Sequence, residues 1–100
     1  MVVTVQEVLD YIGLDETDEM TDRNIASFID VADSFLKGAV GYDYPQDDPR
    51  AKQLALILIN DLYENRGSMA KVSTKVKSFV TTSMLQLTLE LRRDKEDGNQ

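Results

Sequence analysis

A chain of 100 residues has room for one modest hydrophobic core. With neither cysteine nor histidine, it lacks disulfides, thiol nucleophiles and the commonest general base, and a zinc site is not expected. The formal charge of -7 is uneven: residues 1–50 hold 12 acidic and 3 basic side chains, residues 51–100 hold 6 and 8. That split suits a soluble but lopsided surface, or stacking of one subunit on another. The opening MVVTVQEV has no basic flank, and no window approaches the roughly 20 apolar residues of a membrane span, so a soluble protein of the cytosol or a virion is expected.

The chain reads as all-α, a small four-helix domain over residues 1–94 followed by a disordered polar tail at 95–100. Thr4 and Glu7 have the spacing of a capping box, and Val5, Val8, Leu9 and Ile12 recur on one helical face, predicting a helix over 5–12. Gly13 followed by Leu14 fits a left-handed stop with Leu14 folded back on Leu9. The acids of Asp15 to Asp22 lack the glycine and terminal glutamate of a calcium loop and read as the negative start of a second helix, capped by Thr17 or Thr21. Ile25, Phe28, Ile29, Ala32, Phe35 and Leu36 form its stripe, giving a helix over about 18–39 with both phenylalanines in the core.

Tyr42 to Asp48 is turn-rich. Its tyrosines could pin the loop against a helix end or contact another protein. Asp48 and Pro49 then suit the cap and first turn of a third helix over 49–66, stopped by Gly67. Ala51, Leu54, Ala55, Leu58 and Leu62 share a face, and Leu56, Ile57 and Ile59 extend the apolar character around it. This helix is the expected centre of the fold.

Residues 68–80 carry Val72, Val76 and Val80 among Lys71, Lys75 and Lys77, which reads as an extended loop or short hairpin with a small basic patch. Ser83 and Gln86 are compatible with a capping box, and Met84, Leu87 and Leu91 line a last helix over 84–94. Leu85 and Leu89 widen that helix's apolar face beyond one stripe. Its apolar surface is therefore available to its own domain or to a neighbour.

Little here can perform catalysis. The glycines stand singly, so no phosphate-cradling loop is built. Asp30 and Asp33, and Asp61 and Glu64, read as solvent or intersubunit charges, not as an acid–base pair in a cleft. No catalytic, cofactor or metal site is expected, and no helix combines helix-turn-helix geometry with a basic face.

At LYENR, residues 62–66, the chain resembles the head–tail connector, or adaptor, proteins of tailed bacteriophages. TVQEVLDYIGLDETDE, IASFIDVADSFLKGAVG, PRAKQLALILINDLYENRG and SFVTTSMLQLTLELR are similar to that family's successive helices. The likeness covers most of residues 4–92 and is most specific at Tyr63, Glu64, Asn65 and Arg66. The chain departs from the family at Asn60 and Asp61, where many relatives carry a histidine, and in its valine- and lysine-rich loop.

The resemblance implies a structural subunit of a closed, twelvefold ring at the head–tail junction of a virion, assembled in the host cytoplasm. Such a ring binds the portal protein, docks a stopper or tail-completion protein, and lets double-stranded DNA pass without sequence-specific binding. Tyr63, Glu64, Arg66, Lys71, Lys75, Lys77, Leu85, Leu89 and Arg92 are the candidate contacts with a neighbouring subunit or partner. The alternative is a small acidic helical module that binds a host protein as monomer or dimer.

Overall fold

The computed structural model describes residues 2–41, 44–65 and 73–98, with side chains through 93. The fold is all-α, with four helices in the order α1 (Val5–Ile12), α2 (Glu19–Val40), α3 (Pro49–Glu64) and α4 (Thr74–Gly98). No strand occurs among the described residues.

Local chemistry explains each boundary. The Glu7 amide donates to Thr4 Oγ1 at 3.1 Å while the Thr4 amide donates to Glu7 Oε1 at 3.0 Å, so two orphan donors are satisfied together. Gly13, at φ 89°, ends α1; its amide and that of Leu14 both donate to the Leu9 carbonyl, at 2.9 and 3.0 Å. Helix α2 is capped by Asp18, whose Oδ1 accepts from the Thr21 amide at 2.7 Å. Neither threonine expected to cap does so: Thr17 instead donates its hydroxyl to Asp22 Oδ1 at 2.9 Å. A carboxylate outcompetes a hydroxyl here because it adds charge at the positive end of the helix.

Helix α3 begins with Asp48 as cap and Pro49 in its first turn, as expected, and its last helical residue is Glu64 with Asn65 as its C-cap. Six of its residues, Ala51, Leu54, Ala55, Leu58, Ile59 and Leu62, are buried, and Leu56, Ile57 and Tyr63 are partly buried against them. It packs on α1, α2 and α4 and forms the centre of the core. Val2 and Val3 join that core ahead of α1. Val3 and Val8 flank Thr4 in the positions of a hydrophobic staple.

The start of α4 corrects the expected extended loop or hairpin over residues 74–80; residues 68–72 of that stretch lie outside the described residues. Residues 74–80 are helical, and Ser83 lies inside the helix, not at its cap. Ser73 takes the capping position: its Oγ accepts from the Val76 amide at 3.3 Å and its carbonyl from the Lys77 amide at 3.0 Å. Val80, Met84 and Leu87 are buried, with Val76 and Leu91 packed at either end of the same stripe. The backbone stays helical to Gly98, past the expected end at 94 and through most of the expected tail.

Candidate interaction surface

Of the two roles open to the tyrosines of the junction before α3, Tyr44 takes the inward one and pins the loop against α2. Tyr44 is buried and its hydroxyl donates to Asp33 Oδ1, while Lys37 Nζ sits 2.9 Å from Asp33 Oδ2. Burial raises the Asp33 carboxyl, but the hydrogen bonds from Tyr44 and Lys37 and the Lys37 charge outweigh it and hold it below its ordinary range. Burial, followed by the Asp33 hydrogen bond and charge, pushes the Tyr44 phenol strongly upward. Asp33 is therefore an internal anchor rather than a solvent or intersubunit charge, whereas Asp30 remains exposed.

The far end of α3 is also committed internally. Asp61 Oδ2 accepts from the Ser73 amide at 2.7 Å and from Asn65 Nδ2 at 3.2 Å, joining the end of α3 to the cap of α4. Glu64 is exposed and accepts from Asn60 Nδ2 at 3.4 Å, and Tyr63 is partly buried against the core. Arg66 and Lys71 lie outside the described residues, as do Gly67 and Tyr42.

Helix α4 carries the remaining candidates on its surface. Lys75 and Lys77 are exposed in its first turns, where the positive end of the helix disfavours cations by a few tenths of a kcal/mol. Arg92 is exposed near the other end of the described side chains. Leu85 is 43% exposed and Leu89 59% exposed, on the side away from Val80, Met84 and Leu87. The leucines thus do not dock on their own domain. Phe79, 54% exposed, is a further apolar residue on the surface of α4.

Between α3 and α4 lies an open cleft of ≈ 220 Å³ lined by Arg50, Leu54, Ser83, Gln86, Leu87 and Glu90. Arg50 closes it: its guanidinium lies 3.1 Å from Asp48 Oδ2 and 3.3 Å from Glu90 Oε2. Hydrogen bonds from the Arg50 side chain and amide hold the Asp48 carboxyl below its ordinary value. A guanidinium paired to two carboxylates is a structural clasp between the start of α3 and the outer part of α4. Lys52 makes a looser tie, 3.4 Å from Glu7, across to α1.

Among the described residues no cluster of carboxylates is arranged to hold a metal ion, and no helix is long and apolar enough to cross a membrane. Leu85, Leu89, Lys75, Lys77 and Arg92, the candidates expected on α4, all lie on its surface, and so does Phe79 in the segment expected to be extended. No protein-family model, curated protein or solved structure matches the chain.

Proposed function

We propose that this chain is a non-enzymatic structural subunit of a tailed-bacteriophage head–tail connector ring, at the head–tail junction, binding the portal and a stopper or tail-completion protein around a DNA channel. The observation that carries the reading is the outward placement of Leu85 and Leu89 on α4, beside four exposed cations. Exposed leucines on a well-packed subunit favour contact with another protein, and the stretches that resemble connectors coincide with the four helices.

In this reading the acids of residues 1–50 contribute to the channel or the ring contact, where a mixed or negative wall lets a polyanion slide. Lys75 and Lys77 reach a neighbouring subunit or the DNA backbone. Coexpression with a portal protein from the same genome, followed by size-exclusion and electron microscopy, is the test. A portal particle carrying an added ring is the expected result; a portal ring that elutes alone while this chain stays monomeric would sink the proposal.

The same two leucines also suit a small acidic module that grips a single host protein. Capture of one partner at equal stoichiometry by a chain that ignores the portal would favour that second reading.

A further inference from the structure

We propose that the outward face of α4 docks on the outward face of α2 of a second copy of this chain. Among the described residues, four of the six exposed large hydrophobics fall on these two faces: Leu85 and Leu89 on α4, Met20 at 71% and Val31 at 47% exposure on α2. Met20 and Val31 stand about three helical turns apart, so they share a side. Exposed residues 20, 24, 27 and 31 of α2, and 82, 85, 89 and 92 of α4, keep the alternating four-and-three spacing of a helix–helix seam. Neither seam is covered within the chain.

Charge selects the pairing. Residues 15–31 hold six acids and one base, and that base, Arg23, is already paired with Glu19 at 2.7 Å. Residues 73–93 hold four bases and one acid, and that acid, Glu90, is already paired with Arg50. Lys75, Lys77, Arg92 and Arg93 form no ion pair among the described residues. An α2–α2 contact would oppose acids to acids, and an α4–α4 contact over residues 73–93 bases to bases, whereas that part of α4 on α2 brings opposite fields together. Because the two faces are different surfaces of one subunit, the contact is head-to-tail and propagates into a ring or filament.

The inference deepens the connector reading and rests on it only in requiring that copies of this chain associate. A single helix-on-helix contact buries less than the roughly 1,200 Å² at which stable pairs begin, so it is weak until a ring closes. The test must therefore trap transient contacts. The chain has no cysteine, which permits single-site variants of the full chain: Val31→Cys with Leu89→Cys for one register of the seam, and Met20→Cys with Leu85→Cys for the other. Circular dichroism and thermal melts check that each folds.

One variant of each pair carries a tag, and the two are mixed at high concentration under a mild oxidant. The mixed disulfide between α2 and α4 variants should exceed either same-site dimer several-fold, and fall to their level when Lys75, Lys77, Arg92 and Arg93 are changed to Glu. A mixed product no more abundant than chance collision, or a dominant α4–α4 dimer, overturns the proposal. Mixed disulfides from a chain that never joins a portal leave this contact standing and remove the connector reading. A portal-bound ring without the mixed disulfide does the reverse.

Discussion

Tyr44 and Asp61 tie down the two connections that frame α3, and each can be tested alone. In Tyr44→Phe the ring stays buried and only the hydrogen bond to Asp33 is lost, which should cost about 1.5–3 kcal/mol in urea unfolding because the acceptor is charged. The cost depends on pH at both extremes. Asp33 has a lowered carboxyl, so its contribution is present above its ordinary value of 3.8 and is lost as pH falls through the folded value. Tyr44 has a raised phenol, so its contribution is complete below its ordinary value of 10.0 and is lost as pH rises toward the folded value. The gap between the native chain and Tyr44→Phe should be widest near neutrality and narrow at both ends; a gap independent of pH would show that the phenol–carboxylate bond contributes nothing. For Asp61→Ala, loss of the acceptor for the Ser73 amide should destabilise by about 1 kcal/mol. Hydrogen exchange is the sharper readout: the Ser73 amide should lose protection while amides in the middle of α3 keep theirs.

At the scale of elements, α1 to α3 are legible because several independent signals agree on each. Capping chemistry, a 3.6-residue apolar period and a stop residue coincide for α1, and Asp48 with Pro49 marks the start of α3. The first turns of α4 are not legible for a physical reason. Val76 and Val80 stand four apart, a spacing that fits both a helical turn and two strand repeats, and β-branched residues lean toward the strand. Tertiary burial decides it: Val80 is fully buried and continues the Met84 and Leu87 stripe. A strand would place residues 78, 80 and 82 on one face, whereas in α4 Ser78 and Thr82 are exposed. Ser78→Lys should therefore change stability by no more than about 0.5 kcal/mol, and Val80→Ala should cost about 1.5–3 kcal/mol. Equal costs at the two positions would speak for the strand. The α2 face is hidden differently, since Met20 lies among the acids of 15–22 that read as a solvated helix start and Val31 stands beside Asp30, outside the apolar stripe.

For the whole molecule, the question is whether the core and the outer α4 face are energetically separate. Leu85 and Leu89 lie outside the buried stripe of Val80, Met84 and Leu87 and keep 43% and 59% of their surface in water, so exchanging both for serine takes apolar surface mainly from water and little from the core. The double variant Leu85→Ser, Leu89→Ser should melt within a few degrees of the native chain, because a change of 1 kcal/mol moves the midpoint of a domain this size by only about 4–8 °C. Its assembly should suffer far more. Losing two interfacial leucines at about 1.5–3 kcal/mol each would weaken each subunit contact by about a hundredfold or more, and a ring multiplies that loss over every contact. Sedimentation velocity with and without the portal reads the assembly, and the thermal melt reads the core. A variant that melts far below the native chain would place these leucines in the subunit's own packing. One that melts normally and still forms full rings would move the subunit contact off α4, leaving the cations at its two ends as the only part of that surface with a claim on a partner.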